Sequence, residues 1–134
     1  MSGMTADMRV SVIVIMCAIL VGSCSSEPSC QNEPQNRSLS PDGKAAVVIF
    51  SRNCGATVGN NYQVSVVLSS EVPTGKGNVL VADQTPTYSS RFKPVWNGKN
   101  SVTVPIPPGA RVFTKDDNVN GVQVIFQQMK ATDQ

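Results

Sequence analysis

The chain has 134 residues, with eleven Lys and Arg against nine Asp and Glu for a formal net charge of +2, which suits one modest core and leaves no room for a second domain. The charges are scattered rather than clustered, so no nucleic-acid footprint is expected. Histidine is absent; that removes the commonest general base, the commonest metal ligand and the usual partner of a nucleophilic Ser or Cys, and closes most familiar hydrolase mechanisms.

The first element in chain order is a leader. Arg9 precedes an apolar run from Val10 to Val21, then Gly22, Ser23 and Cys24. Such a run suits the h-region of a signal peptide and is too short to span a bilayer as a helix. The residues Val21-Gly22-Ser23-Cys24 resemble the bacterial lipobox, in which small residues admit the backbone to the signal peptidase and the thiol accepts diacylglycerol. The competing readings are an ordinary signal peptide whose mature chain starts near a cysteine, or a buried apolar strand. The expected organisation is a lipoprotein signal peptide over 1–23, a lipidated N-terminus and linker over 24–40, and a single β domain over 41–130. Met1 to Met8 adds an acidic residue and no basic one, so Met8 competes with Met1 as the start. Lipid chains contribute about 0.8 kcal/mol per buried CH2, so three chains at Cys24 would hold the protein to its membrane. Ser25 follows, where an aspartate would resemble an inner-membrane retention signal. In a Gram-negative host, the periplasmic face of the outer membrane is therefore the expected location.

Of the four cysteines, Cys17 would leave with the leader and Cys24 would take lipid, leaving Cys30 and Cys54 in an oxidising compartment. One disulfide is the natural reading, worth roughly 3 kcal/mol by chain entropy. The rivals are two free thiols or a metal pair, the latter poorly served without histidine. Cys30 lies six residues beyond Cys24, a reach of about 20 Å when extended. A bridged domain would thus be held close to the membrane surface.

Gly, Pro, Asn, Ser, Thr and Val are plentiful, the vocabulary of strands and turns. Ser25 to Ser40 lacks hydrophobic periodicity and reads as linker. Ser40-Pro-Asp-Gly-Lys44 predicts a turn, and Ala45 to Phe50 a strand apolar on both faces. Tyr62 to Leu68 alternates and predicts a second strand, after a glycine-rich connection from Asn53 to Asn61. Asn78 to Ala82 predicts a third. Arg91 to Trp96 and Ser101 to Ile106 predict a hairpin about Asn97-Gly98, since Asn-Gly is the strongest short hairpin signal. Pro94 and Pro105 belong at edges or strand ends. Ala110 to Thr114 and Gly121 to Gln128 complete the set. The expected fold is all-β, a small antiparallel sandwich or barrel. Its core candidates are Ala46, Val48, Phe50, Val64, Val66, Leu80, Trp96, Val102, Val104, Val112, Val122, Val124 and Phe126, with Val47 and Ile49 as alternatives in the first strand.

The elements Ser40-Pro-Asp-Gly-Lys, Cys54-Gly-Ala-Thr57 and Gln63-Val-Ser-Val66, with Gly77 to Asp83 and Trp96-Asn97-Gly98, resemble a family of small uncharacterised bacterial lipoproteins. The resemblance covers most of the expected domain and implies export and a β fold. It carries over no activity or site.

Asp116-Asp117 is the one acidic pair, and adjacent side chains in an extended segment point apart, so it reads as a solvated turn. A calcium loop would need more oxygen ligands than Asn118 and Asn120 add. Lys93, Trp96, Lys99 and Arg111 would make a basic and aromatic patch only if the fold gathered them. No cofactor and no metal are expected. The reading is a non-enzymatic, membrane-anchored binding module for an envelope or extracellular protein, with Gly55, Ala56, Thr57, Asn60 and Asn61 as a binding loop. The alternative is an inhibitor or immunity-type lipoprotein that blocks a lysozyme-like enzyme with a protruding loop, Asn53 to Asn61 or Val72 to Gly77. An enzyme working by carboxylates alone would need two of Asp42, Asp83, Asp116 and Asp117 in one cleft.

Overall fold

The computed structural model describes residues 29–55, 61–83 and 92–133. Among the described residues nine strands form in chain order: β1 (Gln31–Leu39), β2 (Ala45–Asn53), β3 (Tyr62–Leu68), β4 (Leu80–Ala82), β5 (Val95–Gly98), β6 (Ser101–Ile106), β7 (Val112–Lys115), β8 (Asn118–Val119) and β9 (Val122–Gln128). They make a five-stranded sheet ordered β1-β2-β3-β4-β7 and a four-stranded sheet ordered β5-β6-β9-β8. The fold is a β-sandwich, not a closed barrel. It is also not wholly antiparallel, because β6 pairs parallel to β9, a pairing that needs a crossover. Here the crossover carries β7 and β8.

The segment expected to be linker holds a nine-residue strand, β1. Its polar sequence hid it. As an edge strand it is mostly exposed, and it tolerates Pro34 beside an irregularity at Gln35. Two devices, a hydrogen-bonded turn and a disulfide, secure it. At one end the Ser40–Lys44 turn forms as expected, with Gly43 at φ 71°, its N–H donating to the Ser40 carbonyl at 2.9 Å. At the other end Cys30 and Cys54 are bridged, next to the paired Gln31 and Asn53.

The faces of β2 divide between two clusters. Val47 and Ile49 join the core between the sheets with Val64, Val66, Leu80, Val102, Val104 and Val124. Ala46, Val48 and Phe50, expected in that core, are buried on the opposite, outer face instead. The β3–β4 connection lies across that face. Arg37 donates to the Ser69 and Glu71 carbonyls, Asn32 to those of Pro73 and Gly75, and Arg52 to that of Thr74. Trp96, Val112 and Phe126 are only partly buried and pack at the margin of the core. Trp96 bridges the sheets at one edge, its Nε1 donating to the Ser38 carbonyl at 3.2 Å.

The hairpin of β5 and β6 is present, but its turn is Lys99-Asn100, with Gly98 paired to Ser101. The Asn-Gly hairpin turn lies elsewhere. Asn120 and Gly121 both have positive φ, 54° and 77°, between the paired Val119 and Val122, as a two-residue turn with both central residues left-handed requires.

Asn78 extends β3's pairing with its side chain: its Oδ1 accepts from Val66 N–H at 2.8 Å and its Nδ2 donates to the Val66 carbonyl at 2.9 Å. This draws Gly77 against the sheet. A Cβ at Gly77 would collide with the Leu80 carbonyl and lie 2.8 Å from the Val64 carbonyl oxygen. Both are backbone atoms that cannot rotate away. Gly77→Ala is therefore expected to lower stability by about 1 to 3 kcal/mol, the usual scale of overpacking, read as a lower denaturant midpoint.

Candidate functional site

The outer face of the large sheet ends in a groove built from one row of cross-strand neighbours. Gln63 pairs with Val81, and Val81 with Thr114. Paired residues share a face, so the three form a floor across β3, β4 and β7. Arg52 and Asn61 extend that floor toward β2: the Arg52 N–H donates to Asn61 Oδ1 at 2.8 Å and Asn61 Nδ2 to the Arg52 carbonyl at 2.7 Å. Cys54 of the disulfide and Lys76 of the pinned connection stand at the margins, and Phe113 completes the lining described. The space is about 300 Å³.

Phe113 reaches this groove because the β4–β7 ladder is irregular. Leu80 pairs with Lys115, Val81 with Thr114, but Ala82 with Val112, leaving Phe113 as an extra residue. A bulge of this kind re-aims side chains. In a regular ladder Phe113 would face the core and Val112 the outside. Instead Val112 packs against the core, and Phe113 stands 59 % exposed. The Arg111 guanidinium lies 4.9 Å from its ring centroid and is itself paired with Asp83 at 3.3 Å.

Gln63 is held rigidly. It is buried, its Oε1 accepts from Gly77 N–H at 2.8 Å and its Nε2 donates to Asn61 Oδ1 at 3.1 Å. Arg52 is less well satisfied. Its Nη1 donates to Asn32 Oδ1 at 2.8 Å and to the Thr74 carbonyl at 3.2 Å, whereas its enclosed Nε has no hydrogen-bond partner among the described residues.

No family model, no curated protein and no solved structure matches the chain.

Of the residues expected in a binding loop, Asn61 lines the groove, and Gly55 follows its wall residue Cys54, with φ 118°. Ala56, Thr57 and Asn60 lie outside the described residues, as does Cys24. The connection Val72 to Gly77 does not protrude; its carbonyls are tied to Asn32 and Arg52. Lys76 lies in the expected loop Val72 to Gly77, whereas Arg52, Gln63, Val81, Phe113 and Thr114 were not marked as site residues by the sequence pattern. Only the lone aromatic in the polar Arg111–Lys115 stretch was a signal.

The acidic pairing that an enzyme working by carboxylates alone would need does not form. Asp42 sits in the β1–β2 turn, where the Ser40 hydroxyl, 2.7 Å away, and the Lys44 N–H hold its carboxyl below the usual aspartate range. Asp83 follows β4, while the Asp116 N–H bonds the carbonyl of Val79, before β4; the strand separates them. Asp116 Oδ1 accepts from the Asn118 N–H at 3.0 Å, the solvated turn expected. Among the described residues no three His, Cys, Asp or Glu gather in a metal-holding group. The basic and aromatic patch is dispersed: Trp96 lies beside β1, and Arg111 leads into β7 at the opposite edge.

Proposed function

We propose that the chain is a lipid-anchored lipoprotein of a bacterial envelope, acting without catalysis, whose groove on the outer face of the large sheet binds a ligand or partner. The observation that carries this is the bulge that turns Phe113 out of the core beside Arg52. A large apolar side chain exposed at the cost of a regular ladder, on the rim of a concave polar space, is the arrangement expected of a binding surface. The anchor reading rests on the lipobox-like residues before Cys24. The bridge from Cys30 to Cys54 makes the tether short, so the domain works near the membrane.

Two measurements test this. Cys24→Ala should shift the protein almost wholly from the membrane fraction to the soluble one and abolish the mass increment of a diacylglycerol. Retention in the membrane fraction would contradict the anchor. A pull-down from crosslinked envelopes should recover a partner with wild-type protein and lose it with Phe113→Ser. Recovery of no partner, together with hydrolysis by the purified protein, would contradict a binding module.

A further inference from the structure

The groove's charge distribution identifies what enters it, given the reading of the groove as a binding site. Arg52 is partly withdrawn from water yet, among the described residues, faces only neutral acceptors: the Asn32 amide oxygen and the Thr74 carbonyl take its Nη1, and its Nε has none. Its Nη2 carries no hydrogen bond to the described residues. Arg111, a few residues from the same groove, has Asp83 as its counter-ion; Arg52 has no carboxylate partner among the described residues. Lys76, exposed at the margin, adds a second positive charge, and no Asp or Glu is among the described lining residues. A partly buried guanidinium without an acid is an incomplete pair. Burying charge is costly until an opposite charge or strong acceptor arrives, and guanidinium matches the planar fork of a carboxylate or the oxygens of a phosphate. Phe113 and Val81 border the same space with apolar surface. A volume near 300 Å³ is at the small end of ligand pockets and suits a ring-sized group bearing an acid.

We infer that the groove binds an oxyanion joined to a compact apolar group, the anion held by Arg52 and Lys76 and the apolar group set against Phe113 and Val81. The two cations supply affinity and orientation. The bulged aromatic selects for the apolar body.

The test uses the full-length protein in non-ionic detergent micelles and fluorine NMR of three probes sharing one ring: para-fluorophenylacetate, para-fluorobenzyl phosphate and para-fluorobenzyl alcohol. Empty micelles serve as blank. At least one anion should broaden with protein beyond the blank while the neutral alcohol does not, and the stronger anion tells whether the natural acid is carboxylate or phosphate. Lys76→Gln should weaken that anion severalfold and Arg52→Gln by about tenfold or more. Arg52 also ties the β3–β4 connection, so Trp96 fluorescence checks that its variant folds; if it does not, Lys76→Gln decides. The inference is overturned if neither anion broadens, if the alcohol binds equally, or if Lys76→Gln leaves anion affinity unchanged. Should both anions fail while Phe113 still captures a partner in cells, the groove remains a binding surface and the oxyanion chemistry alone is wrong.

Discussion

Replacing Tyr62 with alanine is expected to remove about 3 to 5 kcal/mol of stability, the scale for deleting a buried aromatic side chain. That is a large share of the roughly 5 to 15 kcal/mol that holds most domains folded. Tyr62 is fully buried at the start of β3. Its ring packs edge-on against Phe92, with centroids 5.3 Å apart at 75°, and its hydroxyl donates to the Pro105 carbonyl at 2.9 Å. β3 belongs to the five-stranded sheet and β6, carrying Pro105, to the four-stranded one, so this hydrogen bond crosses the sandwich. Tyr62→Phe keeps the ring and removes only the hydroxyl. Its expected cost is about 1 to 3 kcal/mol, that of an unsatisfied buried acceptor. Denaturant unfolding followed by fluorescence of Trp96, the sole tryptophan, measures both. Equal losses in the two variants would mean that packing of the ring contributes little.

Replacing Cys30 and Cys54 together with serine is expected to cost about 3 kcal/mol by loop-closure entropy. The effect should concentrate on β1. That strand buries little apolar surface, so its order rests on its ladder with β2, the Ser40–Lys44 turn and the bridge. Because Trp96 bonds the Ser38 carbonyl in β1, release of β1 should also alter its emission. Cys54 lines the groove as well, so the double variant should bind anionic probes more weakly even where it remains folded. A midpoint unchanged from wild type would show that the turn and ladder hold β1 unaided.

What was legible in the sequence follows from which interactions are local. The alternation of Tyr62 to Leu68 predicted β3 residue for residue, because one side of that strand meets the second sheet. The disulfide pairing and the Ser40–Lys44 turn were legible for the same reason: few alternatives existed. β1 was not, since its Gln, Asn and Pro residues become strand only by pairing with β2. The orientation of β2 could not be read from a run apolar on both faces; it is decided by where the second sheet and the β3–β4 connection lie. Asn97-Gly98 misplaced one turn because a local signal was read without its register, while the two-residue strand β8 hid the true Asn-Gly turn at Asn120-Gly121. The groove was least legible. Its floor joins residues from β2, β3, β4 and β7, and its aromatic is exposed by a bulge that only the pairing of β4 with β7 defines.

The groove as a partner-binding surface of an anchored protein is tested most directly in living cells. A photoreactive amino acid replaces either Phe113, in the groove, or Lys99, in the β5–β6 turn beside the opposite edge, in the wild-type and Cys24→Ala backgrounds. Irradiation should yield a discrete crosslinked product from position 113 in the wild-type background, little or none from position 99, and a weaker product once Cys24 is lost. No product from position 113, or equal products from both positions, would contradict a binding groove on this face.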